Sequence, residues 1–394
     1  MKMLLATAGL IRGSSRVGAK SLDPRMPDHE REDIDARRAV VQNAWMGPVL
    51  WPLGLGAARV VGRDMSRRSR AWTAALSVAA VTCLGGVPAR AIEGGTGAYI
   101  LGSRDTLSGI APPPGTTVIS NGVWHFDARG PMIGSTGIRL ANPKADIYLN
   151  KFDIAHVFKT QIFGGTPGIN LTIPYASGTL TADGRIGGRL VGELEDRNYG
   201  FGDPVLTPGI GWHAGNFHWI TAVSIFLPWG KYELASATPV PPAIDNFLNF
   251  GKNRASFMPT FSFTWLDPKI GLELSAALSF EFSLRNHATN WQTAPAAILE
   301  LAALRHWPNG FAFGVVGYAY QQIGEDSGLG AERFKAAVGV SSLEARVFSI
   351  GPIATYSTKF GATPVRFKLK YVNEFEAKHR FESKVVTGVF TVSF

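Results

Sequence analysis

The stretch Leu272 to Arg285, LELSAALSFEFSLR, alternates without interruption for fourteen residues. Leu272, Leu274, Ala276, Leu278, Phe280, Phe282 and Leu284 fall on one face, and Glu273, Ser275, Ala277, Ser279, Glu281, Ser283 and Arg285 on the other. A period of two specifies a strand, with successive side chains on opposite faces. Soluble strands usually run about 5–6 residues, whereas a tilted strand needs about 9–11 to cross a bilayer. Residues 365–378 repeat the pattern: Val365, Phe367, Leu369, Tyr371 and Phe375 oppose Arg366, Lys368, Lys370, Glu374, Glu376 and Lys378. A third run, 257–265, sets Phe257, Phe261, Phe263 and Trp265 against Thr260, Ser262 and Thr264.

Applied from residue 118 onward, this criterion gives twelve segments: 118–128, 146–158, 168–178, 204–214, 216–228, 256–266, 269–285, 294–305, 311–322, 344–357, 363–378 and 384–394. The connections alternate in length. Long ones cover 129–145, 179–203, 229–255, 286–293 and 323–343, and short turns fall between them, as at Gly215, 267–268, 307–311 and 359–362. Short turns at one end and long loops at the other are the mark of an outer-membrane barrel. The expected fold is therefore all-β, a transmembrane antiparallel up-and-down barrel of about 12 strands over 118–394, with both termini on the short-turn, periplasmic side.

Charge supports that class over a nucleic-acid binder. The net charge is +9, but residues 1–91 hold 14 Lys/Arg against 7 Asp/Glu, leaving 25 against 23 in the remainder. A nearly neutral body with 18% charged residues and 45 glycines does not present the basic face that nucleic acid requires. No nucleic-acid partner is expected.

The leading region reads as two pieces. From Met65, the basic residues Arg67, Arg68 and Arg70 precede an apolar run from Ala71 to Leu84 and then Ala89-Arg90-Ala91. Basic, apolar and small-residue parts in that order specify a secretory signal peptide, 65–91, cleaved after Ala91. Residues 1–64 show mixed charge and no sustained period, and are expected to be a disordered extension from an upstream start codon. The only cysteine, Cys83, lies inside the signal, so the exported chain has no disulfide and no thiolate ligand.

Residues 92–117 form a Gly-rich segment ending in Pro112-Pro113-Pro114, which cannot join a sheet ladder. Its Tyr99, Ile100, Leu101, Leu107 and Ile110 are costly to leave in water, and Arg104-Asp105 suits a polar lumen. A lumen-plugging role is expected, with Tyr99, Arg104 and Asp105 as plug candidates and a periplasmic tail as the alternative. The lumen-facing candidates are Glu273, Glu281, Arg285, Arg366, Lys368, Lys370, Glu374, Glu376 and Lys378. The chain ends VVTGVFTVSF, and Phe390, Val392 and Phe394 are expected to be the signal read by the barrel assembly machinery.

Blocks of sequence carry a resemblance. EGGTGAYILGSRDTLSGIAPPPGT (93–116), GFGDPVLTPGIGWHAGNFHW (200–219), FLPWGKYE (226–233), NFGKN (249–253), YAYQQIGED (318–326), SIGPIATY (349–356) and LKYVNEF (369–375) resemble, in the same order, the outer-membrane family named after the meta-pathway of phenol degradation. RNHATNWQTAP (285–295) departs from it, lacking a Tyr and a Ser-Gly pair. The resemblance implies a barrel that admits small hydrophobic or aromatic compounds.

No G-x-S-x-G, H-E-x-x-H or phosphate-binding loop is present, so no enzyme activity and no cofactor are expected. His213 and His218 flank a turn and are a weak metal pair. Glu325-Asp326 offers a site for a cation bridging lipopolysaccharide, or two solvated loop charges. The expected partners are outer-membrane lipid, lipopolysaccharide, the assembly machinery and a small apolar solute. The function expected is passive diffusion through the barrel, and the alternative is a structural or adhesive barrel that acts through its loops.

Overall fold

The computed structural model describes residues 97–394 apart from 131–132, 136–137, 187 and 240–241. The signal peptide and the upstream extension assigned from the sequence lie outside the described residues, as do 92–96.

Among the described residues, sixteen strands and one helix follow in order. They are β1 (Thr117–Arg129), β2 (Ile133–Ser135), β3 (Ile138–Val157), β4 (Thr166–Ile186), β5 (Arg189–Phe201), β6 (Val205–Ala214), β7 (Phe217–Phe226), β8 (Ser236–Pro239) and β9 (Pro242–Asp245). After these come β10 (Ser256–Asp267), β11 (Leu272–Ser283), β12 (Ala296–His306), β13 (Phe311–Gln322), α1 (Leu329–Val338), β14 (Arg346–Phe360), β15 (Thr363–Lys378) and β16 (Glu382–Ser393).

Twelve of these close on themselves. The antiparallel order runs β1, β16, β15, β14, β13, β12, β11, β10, β7, β6, β4, β3 and returns to β1. Closure is made where Val118 to Arg129 pair with Ser393 to Glu382. On the other side of β1, Thr117 to Arg129 pair with His156 to Lys144. A closed sheet leaves no backbone edge for lipid to face, which is why a strand protein can span a membrane at all.

Side-chain parity then sorts every strand into two environments. Along β11, Glu273, Ser275, Ala277, Ser279 and Glu281 are buried, while Leu274, Leu278, Phe280 and Phe282 are exposed. Along β15, Lys370, Val372 and Glu374 are buried and Phe367, Leu369, Tyr371 and Phe375 are exposed. Polar inside and apolar outside inverts a soluble domain and matches a barrel whose outer surface meets hydrocarbon. No described helix is long and apolar enough to cross a membrane.

Two long connections expected from the sequence are instead strand. β3 has 20 residues and β4 has 21, so both run well past the length a bilayer needs. From Tyr175 onward β4 pairs with β5 as far as Ile186, which makes a hairpin beyond the barrel wall. One face of this hairpin, with Leu180, Ala182 and Leu194, is buried against Leu140, Ile244 and Leu248, and the other, with Glu193, Glu195 and Arg197, is exposed. The loop between β7 and β10 carries the small β8–β9 hairpin, and the loop between β13 and β14 contains α1.

Nor are Glu325 and Asp326 loose loop charges. Asp326 is 1% exposed and accepts hydrogen bonds from Trp291 Nε1 at 2.8 Å, Ala294 N at 2.8 Å and Gln322 Nε2 at 2.7 Å. Glu325 accepts from Leu343 N at 2.8 Å and from the Ser342 hydroxyl. Both carboxylates therefore tie the long-loop end together.

Candidate functional site

The segment before β1 lies against the inward faces of strands on opposite sides of the barrel. Three glutamates receive it. Ala98 N donates to Glu281 Oε1 at 3.0 Å, Tyr99 Oη to Glu300 Oε2 at 2.7 Å, and Leu107 N to Glu273 Oε1 at 2.6 Å. Gly102 N also donates to Glu300, and the Thr106 hydroxyl donates to Glu273 Oε2 at 2.8 Å.

Three cations on β15 hold its other side. Lys368 Nζ lies 2.9 Å from both Asp105 oxygens, Lys370 Nζ lies 3.0 Å from Asp105 Oδ2, and Arg366 Nη2 donates to the Thr106 hydroxyl at 3.1 Å. Lys370 also donates to the Gly102 carbonyl. An acidic wall from β11 and β12 thus faces a basic wall from β15, with the segment between them. Arg104 reaches a third side, donating to Ser224 Oγ on β7 at 2.9 Å, with its guanidinium 5.2 Å over the Tyr99 ring.

The contacts order the segment along the barrel axis. Glu281 sits near the long-loop end of β11 and Glu273 near its short-turn end, so the chain descends between Ala98 and Leu107. Two glycines permit the close approach. Gly102 has φ +79°, and a Cβ there would stand 2.9 Å from Lys370 Nζ. At Gly109 a Cβ would stand 2.5 Å from Thr264 N, and Gly109 N instead donates to Thr264 Oγ1 at 3.0 Å. Leu107 and Ile110 pack with Leu266 at the short-turn end. Past the three prolines, Gly115 N donates to Val157 O at 2.8 Å, and β1 begins.

Beside this segment lies a cavity of about 340 Å³, bounded by its residues 97–104, by β1, β3, β4, β6 and β7, and by loop residues 247–252. Phe126, Leu149, Phe226, Phe247, Leu248 and Phe381 give it an apolar lining. Polar side chains stand among them: the cations Arg104, Lys151, Lys252 and Arg380, the carboxylates Asp203 and Glu374, and the neutral Ser103, Asn170, Thr172, Thr207, Ser224, Asn249 and Ser383. Burial pushes the Asp203 carboxyl up, and the backbone N–H groups of Lys252 and Gly230, at 2.8 and 2.9 Å, act against that rise.

Of the lumen-facing residues expected from the sequence, Glu273, Glu281, Arg366, Lys368, Lys370 and Glu374 point inward. The other three stand at the long-loop rim. Arg285 lies two residues past the end of β11 and donates to Asn290 Oδ1 at 3.3 Å. Glu376 has φ +55°, a left-handed residue that breaks the two-residue alternation, and it pairs with Arg346 at 3.3 Å. Lys378 closes β15 opposite Arg346. Glu300, the central acceptor, was not among the expected residues; it is the single charge at an inward position of AAILELAALRH.

Phe390, Val392 and Phe394 project outward. The Phe390 ring lies 5.1 Å from the Phe367 ring at a tilt of 41°, and Phe394 is 67% exposed while its backbone N–H donates to Thr117 O at 2.8 Å. His213 and His218 pair across the β6–β7 turn with ring centroids 6.2 Å apart. Among the described residues, no group of three or more His, Cys, Asp or Glu side chains converges as a metal site requires.

Fold and lumen together define a twelve-stranded membrane-spanning β-barrel with a chain segment held inside it. The chain belongs to the family described as "Putative MetA-pathway of phenol degradation", whose model matches residues 128–387. Among solved structures it is similar to an outer membrane channel from Pseudomonas putida F1, at 13% identity and TM-score 0.55, covering 75% of this chain and 100% of that one. That likeness establishes a shared fold. A FadL homologue from Pseudomonas aeruginosa matches at 8% identity and TM-score 0.37, over 78% and 98% of the two chains. The translocator domain of the autotransporter NalP from Neisseria meningitidis matches at 11% identity and TM-score 0.35, over 72% and 88%. These last two fall below the similarity at which fold can be argued. No curated protein matches.

Proposed function

We propose that this protein is an outer-membrane channel through which small hydrophobic or aromatic compounds diffuse passively, without cofactor or energy input, past an N-terminal segment that narrows the lumen. The observation that carries the reading is the division of the lumen: one part is taken by a segment clamped between acidic and basic walls, and the part beside it is a mainly apolar cavity of about 340 Å³. That volume is at the small end of ordinary ligand sites, about 300–1,000 Å³. The outward belt of Leu274, Leu278, Leu369 and Phe375 then faces outer-membrane lipid and lipopolysaccharide, with the short turns and the start of β1 on the periplasmic side. The phenol-degradation context in the family description is consistent with an aromatic solute.

Proteoliposome swelling with a panel of small solutes tests this. Swelling rates that rise from sugars to phenol-sized neutral aromatics, relative to protein-free vesicles, are expected. Equal rates with and without protein for every solute would overturn the reading and leave a structural or adhesive barrel acting through its loops.

A further inference from the structure

The cavity contains a buried cation with one donor nitrogen that the described residues leave unpartnered. Arg380, in the connection between β15 and β16, lines the cavity with its side chain 8% exposed. Its Nη1 has no hydrogen-bond partner among the described residues. Nη2 stands 3.7 Å from Glu374 Oε1, beyond hydrogen-bond reach, and Nε meets Phe381 O only at 3.5 Å. One face of the guanidinium rests 4.9 Å over the Tyr320 ring, which fixes its plane. Glu374 is shared: Oε1 also accepts from Tyr318 Oη and Oε2 from Ser383 N, both at 2.7 Å, which holds the carboxylate away from closer contact with Arg380.

A buried guanidinium with donors to spare is costly, since a buried charge is tolerated when it is both paired and hydrogen-bonded. We propose that Arg380 is the anchor of a binding site for an apolar molecule bearing one carboxylate, such as an arylalkanoate or medium-chain alkanoate. The planar fork of the guanidinium matches the two oxygens of a carboxylate. Phe126, Phe226, Phe247 and Leu248 line the same cavity and receive the apolar body. One charge is specified because the other cations of the lining are engaged, Arg104 donating to Ser224, Lys151 pairing with Asp153 and Lys252 having partners of its own, while Asp203 and Glu374 would oppose a second negative charge. Arg380 lies at the long-loop end, so the headgroup is held at the outer mouth of the cavity. The site rests on the channel reading only for the route by which the molecule arrives.

The test uses the full exported barrel in an uncharged detergent and isothermal titration with 4-phenylbutyrate, 4-phenylbutanol and 4-phenylbutanamide at pH 7. The acid is expected to bind at least tenfold more tightly than either neutral analogue. Arg380→Gln lowers the affinity for the acid about tenfold, and Arg380→Lys recovers part of it. Equal affinities for the three ligands, no binding of any, or an acid preference that survives in Arg380→Gln would overturn the proposal. If the Gln variant does not assemble, the ligand series on the unaltered chain still decides. Swelling by neutral aromatics without any acid preference would sink this site and leave the channel standing; acid-selective binding without swelling would do the reverse.

Discussion

Lys370 Nζ and Asp105 Oδ2 stand 3.0 Å apart with their side chains 2% and 5% exposed, and Lys368 holds the same carboxylate from a second position on β15. The two partners are 265 positions apart in sequence, so this pair records a segment brought back into the lumen. Removing one partner of a buried pair leaves the other uncompensated, typically at about 3–5 kcal/mol. Asp105→Asn leaves two lysines facing a neutral amide, and the segment should detach from β15. Planar-bilayer recordings should then show larger or more frequent open events than the unaltered protein. Identical current traces would mean that the pair does not control access.

Deleting residues 97–111 goes further. Each of the twelve barrel strands is paired on both sides by another barrel strand, so the deletion should leave barrel closure intact, read as heat-modifiable migration on a gel. Single-channel conductance should rise, since Glu273, Glu281 and Glu300 would face Arg366 and Lys370 across open water. A barrel that forms but conducts as before would reduce the segment to a passenger.

Much of this architecture was legible because lipid imposes a strict rule on one face. Leu274, Leu278 and Phe282 must be apolar, so β11 announces itself, and the same holds for Phe367 and Leu369 on β15. Beyond the lipid the rule lapses, and the β4–β5 hairpin, whose exposed face carries Glu193, Glu195 and Arg197, reads as a loop. Parity counting also fails where the backbone leaves the strand. Glu376 was assigned inward from its even spacing after Glu374, but its positive φ carries it to the rim. The segment 97–110 was expected inside from the cost of exposing Tyr99 and Leu107 and from Arg104-Asp105. Which wall would receive it depended on Glu300, whose role is set by partners about 200 positions away and has no local signature.

The lipid-facing assignment makes a thermodynamic prediction. Leu278 is 42% exposed on the outward face near the middle of β11, and Ser279, its neighbour, is fully buried against Thr260 Oγ1 at 2.9 Å. Leu278→Arg should destabilise the barrel by about 2–4 kcal/mol, the cost of an arginine at mid-membrane. Urea unfolding from lipid vesicles measures this. A change under half a kcal/mol would place Leu278 in water, and with it the whole outward set of β11.

The last prediction concerns closure. Phe394 N donates to Thr117 O at 2.8 Å and Thr117 N to Phe394 O at 3.0 Å, so the backbone of the final residue locks the first strand to the last. Its side chain contributes little to that lock: it is 67% exposed on the outward face, beyond Val392 and Phe390. Phe394→Ala keeps both backbone hydrogen bonds and removes only the ring, so the folded barrel should unfold at nearly the same urea concentration. Assembly in cells is a separate matter, because an outward aromatic at this edge is what the assembly machinery would engage before the edges join. The variant should therefore accumulate to lower levels in the outer membrane, while barrels refolded from denaturant in vitro match the unaltered protein in yield and heat-modifiable migration. A drop in both settings would assign the ring a structural role in closure, and no drop in either would remove Phe394 from the assembly signal.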